Sequence, residues 1–286
     1  MLRGAMLSLK LSRELARWRR AGRTARLWWR DDDAAGASAA LDRLLQASRA
    51  AGVPLTLAVV PAGDMTGLAG RLARAWMVSV VQHGVDHRNR REGAAAGEFP
   101  HDWARRDLEI ALRRGWGLLQ SVPRSQPIYV PPWNDAHPEL EAALRACGYA
   151  GWSANGELAM ATGEDGAATG EDGAGEDGGL ARVDVHLDLM RWRRGARFRG
   201  RGRLLSALAD ELRRRRLAGL WEAPIGVLTH HLAHDERAWR FLEAFLVWSA
   251  ARSELAWVAL PVLLRPASDP AAITEVARGS SLRFAC

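Results

Sequence analysis

The sequence predicts an α/β protein, folded as a single domain in the form of a distorted (β/α) barrel of about seven parallel strands. Three observations carry this expectation. Short apolar runs alternate along the chain with segments of helical periodicity, the pattern of successive strand–helix units. The runs are apolar throughout instead of alternating with polar residues, as strands covered on both faces are. A length of 286 residues with 48% hydrophobic content matches one barrel-sized domain.

Residues 1–24 read as a basic amphipathic extension, with Leu7, Leu9, Leu11, Leu15 and Trp18 interleaved with Arg13, Arg17, Arg19 and Arg20. The barrel is expected over 25–265 and a tail over 266–286. Leu27–Asp31 is the first strand. Ser38–Ala51 has helical spacing through Leu41, Leu44 and Leu45 and stops at Gly52. Pro54–Val60 reads as a strand closed by Pro61, and Leu68–Ala75 as a short helix. Trp76–Gln82 is a third strand that ends at His83. A helix over Asp102–Gln120 precedes the strand Ile128–Val130, which Pro131 and Pro132 stop. A helix over Pro138–Ala146 leads to Tyr149–Ser153. Residues 163–179 repeat Gly, Glu, Asp and Ala without a large apolar side chain, which predicts a disordered acidic insertion. Arg182–Asp188, a basic helix over Leu204–Leu217, the strand Pro224–His230, a helix over Glu236–Ala250 and a last strand at Leu255–Leu260 complete the pattern.

Two cysteines, Cys147 and Cys286, exclude a disulfide framework or a cysteine-rich metal site and fit a reducing compartment. No run has the length of a membrane span, and the first thirty residues lack the pattern of a secretory signal, so a cytoplasmic location is expected. The net charge of +7 is almost entirely arginine, since Lys10 is the only lysine. Its spread over helices, without a recognised nucleic-acid motif, argues against a nucleic-acid partner.

Polar residues gather where the strands end, which in parallel α/β folds is where chemistry sits. Asp31-Asp32-Asp33, His83-Gly84-Val85-Asp86-His87, Pro131-Pro132-Trp133-Asn134, Asp188 and His230-His231 all fall at such ends. Two imidazoles and one carboxylate are the protein ligands of a catalytic zinc site with an open position, and a spare carboxylate is a general base beside it. His83 and His87 are four residues apart, so one helical turn would put both rings on one face. The aspartate run can also be read as charge at the N-terminus of the helix that follows.

In these residues the chain resembles the polysaccharide deacetylases, the NodB-homology family of carbohydrate esterases. That family has an Asp-Asp pair after strand one, His-x-x-x-His after strand three, a Pro-containing turn, an Asp-bearing strand end and a C-terminal Leu-x-His. The counterparts here are Asp31–Asp33, His83–His87, Val130–Asn134, Asp184–Trp192 and Leu228–His230. The resemblance implies a divalent metal, zinc by preference, and hydrolysis of a non-peptide carbon–nitrogen bond that removes an N-acetyl group from a small-molecule or glycan substrate. It implies Asp33, His83 and His87 as ligands, Asp32 as base and His230 as the acid that protonates the amine. Asp31 is a further catalytic candidate, since Asp31 and Asp32 could fill the ligand and base roles instead, and His231 competes with His230. Pro132, Trp133, Asn134 and Asp188 are implied at the substrate and oxyanion positions, with Trp133 as a wall against a sugar ring or as a core residue. Two departures stand out. Val130 occupies the place of the arginine that braces the family's catalytic aspartate, for which Arg30 is a candidate substitute. The Asp-Trp pair is stretched to Asp188–Trp192.

Other readings compete. A catalytically inactive carbohydrate- or metabolite-binding module of the same fold is favoured by the missing arginine. Two histidines and a carboxylate also describe a non-heme iron oxygenase triad, but the strand–helix alternation is not that enzyme's scaffold.

Overall fold

The computed structural model describes residues 8–93, 95–156 and 179–264. The acidic insertion expected at 163–179 falls, apart from Gly179, outside these residues, as does the tail at 266–286. The strands β1 (Ala25–Ala34), β2 (Leu55–Val59), β3 (Val78–His83), β4 (Ser125–Val130), β5 (Gly151–Trp152), β6 (Val185–Asp188) and β9 (Ile225–Thr229) form one parallel sheet in the order β5-β4-β3-β2-β1-β9-β6. The sheet curls until its edges meet: Trp152 pairs with Arg182 and Asn155 with Val185, in parallel register. The expected distorted barrel of seven parallel strands is therefore present. The last strand, β10 (Leu255–Trp257), is shorter than expected and pairs with the amino end of β1, because the chain turns at Pro261 into the short helix α8 (Leu260–Leu263).

β1 lies at the centre of the sheet and its side chains alternate. Trp28 faces the barrel interior with Ala58, Val81, Ile128, Val130, Val185 and Leu228, a small core closed from below by Leu260 and Leu264. Leu27 and Trp29 face outward into the larger core beneath the helices. That outer layer contains α2 (Ala39–Ala51) packed on α7 (Glu236–Ala250), and α4 (Arg105–Leu119) on α5 (Leu140–Ala146). The helix α3 (Met65–Leu72) begins three residues earlier than expected, where Asp64 caps Gly67.

Sequence reading set residues 1–24 apart from the barrel. In the structure α1 (Leu9–Arg20) packs on α6 (Arg201–Ala218), burying Leu11, Leu15 and Trp18, and the Trp18 indole donates to the Leu212 carbonyl at 3.1 Å. Its hydrophobic stripe is thus part of the outer core. A second departure is a two-stranded antiparallel ribbon of β7 (Met190–Arg191) and β8 (Arg197–Phe198), inserted between β6 and α6. No helix among the described residues is long and apolar enough to cross a membrane.

Candidate metal centre

The carboxyl ends of the strands open on a cavity of about 550 Å³, lined among others by Asp32, Asp33, His83, His87, Trp133, Asn134, Asp188, Trp192, Arg199 and His230. Its donors come from β1, the end of β3, the turn after β4, the end of β6 and the turn after β9. This is the placement expected of a parallel α/β site.

The aspartates do not cap α2. Ser38 does that, its hydroxyl accepting from the Leu41 amide at 3.0 Å. They lie within β1, where strict alternation would put Asp31 and Asp33 on one face and Asp32 on the other. The register to β2 slips between Asp31 and Ala34, and Asp33 has φ 71°, so a bulge turns Asp33 back toward the cavity beside Asp32. Asp31, fully buried, stays on the outer face. It accepts from the Thr229 hydroxyl at 2.5 Å, the His231 amide at 3.0 Å and His231 Nδ1 at 2.5 Å. The structure therefore places Asp31 and His231 together behind the wall and Asp32, Asp33 and His230 inside it, because only the latter three side chains reach the cavity.

His83 and His87 approach each other without a helix. His83 ends β3, and the chain then turns through Gly84 at φ 61° and His87 at φ 55°. This corrects the expected helical turn. The turn is held by Glu98, a buried carboxylate that accepts from the amides of Val85 at 2.9 Å, Asp86 at 2.8 Å and His87 at 3.3 Å. A Cβ on residue 84 would collide with that carboxylate and with Pro132, so glycine is required. Burial raises the pKa of Glu98, and the neighbouring Asp86 adds to the rise. Sequence reasoning missed Glu98. An acidic residue among glycines and alanines carries no periodic signal, and only the folded loop aims it at these amides.

His83 Nε2 and His87 Nε2 each lie 3.2 Å from Asp33 Oδ1, and the possible ligand atoms of the three residues fall within 4.8 Å of one another. The other ring nitrogen of His83 donates to the Val130 carbonyl at 3.1 Å, which leaves Nε2 to face the site. Two imidazoles and a carboxylate converging in this way fit a divalent cation of zinc type, with room for further ligands on the cavity side. Burial alone would raise the Asp33 carboxyl, but hydrogen bonds from His83 and His87 outweigh it and hold the group well below the usual range. Burial works to lower His83, yet Asp32 and Asp33 raise it.

Asp32 is braced by Arg30, two residues earlier on the same strand face. Nη2 donates to Asp32 Oδ2 at 3.0 Å, and Nε lies 2.9 Å from Oδ1 without hydrogen-bond alignment, so Oδ1 keeps an open acceptor site. Arg30 is fully buried and also donates to Ser153 Oγ at 2.8 Å and Asn134 Oδ1 at 2.9 Å. The guanidinium that Val130 cannot supply therefore arrives from β1.

The remaining expected residues divide. Asn134 lines the cavity, with its side-chain oxygen engaged by Arg30. Pro132 is buried beside Gly84, is not itself a lining residue, and has no N–H to offer an oxyanion. Trp133 is 42% exposed and lies on His87 with ring centroids 4.3 Å apart, so it is a wall residue and not core. Its φ of 54° and that of Asn134, 57°, are unusual for residues with side chains. Asp188 accepts from the Met190 amide at 2.7 Å and the Trp192 indole at 3.0 Å, and burial raises its pKa against the opposing charge of His230. Trp192 meets His230 edge-on at 4.6 Å. The stretched Asp–Trp spacing is thus reconnected through the ribbon.

The curled parallel sheet, with three convergent donors at its carboxyl end, defines a distorted (β/α) barrel. Solved structures bear out this fold. A polysaccharide deacetylase candidate from Mycobacterium smegmatis superposes with a TM-score of 0.59 at 19% identity, covering 85% of this chain and 90% of that one. The Bc1960 peptidoglycan N-acetylglucosamine deacetylase gives 0.51 at 10% identity, covering 86% and 91%. A mutant of BA3943, a family 4 carbohydrate esterase pseudoenzyme with restored activity, gives 0.51 at 12% identity, covering 85% of this chain and 68% of that one. The fold is that of the polysaccharide deacetylases of carbohydrate esterase family 4, and at these identities the likeness concerns the fold. No family model and no curated protein matches the sequence.

Proposed function

We propose that the protein is a divergent member of this deacetylase family, a metal-dependent hydrolase that removes an N-acyl group, acetyl foremost, from an amino-sugar-like substrate. The observation that carries the reading is the convergence of Asp33, His83 and His87 beside an aspartate held by a buried arginine. Asp33, His83 and His87 hold the ion, for which zinc suits the donor set. A divalent cation there supplies Lewis acidity toward a carbonyl and lowers the pKa of water.

The chain's own groups supply the rest. Asp32 takes the proton of the attacking water at Oδ1, the oxygen with an open acceptor site. Arg30 holds that carboxylate in place. The amides of Asn134 and Asp135 are engaged by the carbonyls of Pro131 and Pro132, which leaves the Trp133 amide to donate to the carbonyl oxygen as it gains negative charge. His230, at the opposite side against Trp192, hands a proton to the departing nitrogen, so amide and water become carboxylate and amine. The charge of His230 lowers the Asp188 carboxyl against the burial that raises it. Asp31 and His231 position the turn that carries His230. With one free thiol, Cys147, among the described residues, a cytoplasmic setting remains part of this reading.

The inactive-module reading rests on the absent motif arginine, and the contact of Arg30 with Asp32 weighs against it. Elemental analysis of the purified protein beside His83→Ala and His87→Ala, together with acetate release from N-acetylglucosamine compounds, tests the proposal. Bound metal lost in both variants and metal-dependent release support it. Unchanged metal content in both variants defeats the metal centre, and metal binding without turnover on a broad N-acyl panel restores the binding module.

A further inference from the structure

The ribbon that interrupts the barrel pattern carries an unusual charge. Residues 191–203 contain seven arginines and no acidic residue. Elsewhere some arginines are neutralised, as Arg43 is by Glu236 and Glu243, Arg90 by Asp86, Arg91 by Asp135 and Arg214 by Glu211, and exposed ones without an ion pair among the described residues, such as Arg13, Arg49, Arg74 and Arg106, are scattered instead of clustered. Arg191, Arg193, Arg194 and Arg197 in the ribbon, and Arg201 and Arg203 at the start of α6, are exposed and form no ion pair among the described residues. Arg191 and Arg197 are direct cross-strand partners, an arrangement of like charges that weakens a two-stranded ribbon.

The ribbon is also fixed to the cavity instead of hanging free of it. Arg199 donates to the Asp188 carbonyl at 2.8 Å and to the Met190 carbonyl at 3.0 Å, while the Asp188 carboxylate takes the Met190 amide and the Trp192 indole. Phe198 packs on Phe241 at 5.4 Å. Arg199 and Trp192 line the cavity itself. Arg199 thereby brings a guanidinium to one lip of a pocket that also carries Asp32, Asp33, Asp188, His83, His87 and His230, and the other arginines of the ribbon lie beyond that lip. Repulsion built into a firmly anchored element is relieved by an anion bound across it, and guanidinium groups match phosphate oxygens in pairs.

We propose that this lip binds a phosphate ester carried by the substrate, so that the molecule hydrolysed is a phosphorylated N-acyl sugar and not a neutral glycan. The proposal rests on the deacylase reading for the reacting end and names the group at the other end. The acyl amide reaches the donors on the floor, the sugar ring lies between Trp133 and Trp192, and the phosphate meets Arg199 and the paired Arg191 and Arg197. The phosphate can belong to a free sugar phosphate or to a lipid-linked one, since both present the same oxygens.

The test is equilibrium binding followed by tryptophan fluorescence, which needs no turnover. The probes are N-acetylglucosamine, N-acetylglucosamine 1-phosphate, the same sugar phosphate displayed on a lipid in neutral vesicles, plain anionic vesicles and a single-stranded oligonucleotide. At low ionic strength the phosphorylated sugars bind about tenfold more tightly than the neutral sugar, and high salt erases the difference. The stronger of the two phosphorylated forms identifies the source. The double variant Arg191→Ala/Arg197→Ala loses the preference and, freed of repulsion, unfolds at no lower temperature than the parent. Equal binding of neutral and phosphorylated sugar overturns the proposal, as does a preference that survives in the double variant. Plain vesicles or oligonucleotide binding as tightly as the sugar phosphate also overturn it, in favour of a membrane or nucleic-acid surface. Failure of the deacylase reading is separately visible as phosphate-dependent binding with no acyl release.

Discussion

Replacing Arg30 by methionine isolates the buried ion pair on which the Asp32 assignment depends. Arg30 is fully buried and Asp32 is 2% exposed, with contacts of 2.9 and 3.0 Å between them. At an effective dielectric constant near 20, opposite charges 4 Å apart attract by about 4 kcal/mol, so this closer pair is at least comparable. Methionine fills much of the same volume but leaves the Asp32 carboxylate buried without a counter-charge. It also leaves the oxygens of Ser153 and Asn134 without their donor. Breaking a buried pair from one side costs about 3–5 kcal/mol. At roughly 2–4 °C per kcal/mol, the melting temperature falls by about 6–20 °C. The assay is thermal and urea unfolding of the parent, Arg30→Met, Asp32→Asn and the double variant. The double variant should recover a substantial part of the loss, because neither charge of this pair then remains buried. An Arg30→Met protein within about 1 kcal/mol of the parent, or a double variant no more stable than that single one, would refute the pairing and with it the argument that Arg30 replaces the residue missing at Val130.

Two further outcomes follow from the same geometry. Glu98→Ala frees the Val85, Asp86 and His87 amides, so zinc affinity measured by chelator competition drops about 10–100-fold while far-UV circular dichroism is retained; affinity equal to the parent's would show that the His87 turn holds itself. His186 is approached by Gly226 N–H at 3.1 Å and the Arg215 guanidinium at 3.1 Å, and burial followed by the Arg215 charge lowers its pKa from 6.5 to about 4. The unfolded chain therefore takes up this proton first. His186 has no effect on stability above pH 6.5, and a penalty of up to ~3 kcal/mol builds as the pH falls toward 4. In urea titrations across that range, His186→Gln should flatten this part of the slope, and an unchanged slope would place the proton elsewhere.

Particular residues show how legible the molecule was. β1, β2 and β3 were readable because their runs are buried on both faces, and that requirement is written in local composition. The order of strands was not readable, since a pairing such as Leu27 with Ile225 joins residues far apart in sequence. The ends of the strands pointed to Asp32, Asp33, His83, His87 and His230, but not to how they meet. His83 and His87 were expected on a helical turn and instead converge through two residues of positive φ. The ribbon between β6 and α6 went unread because its strands are only two residues each and dominated by arginine.

The sequence by itself determined the fold class and the set of metal-binding candidates, because periodicity, burial and residue chemistry are local properties that each segment carries. Only the tertiary structure decided where each aspartate lies. Three adjacent carboxylates are equivalent until a bulge breaks their alternation, turning Asp33 inward beside Asp32 and leaving Asp31 against His231. The same folding brought Arg30 under Asp32 and an arginine ribbon to the lip of the cavity. These arrangements depend on where distant segments stop, and no window of sequence contains that information.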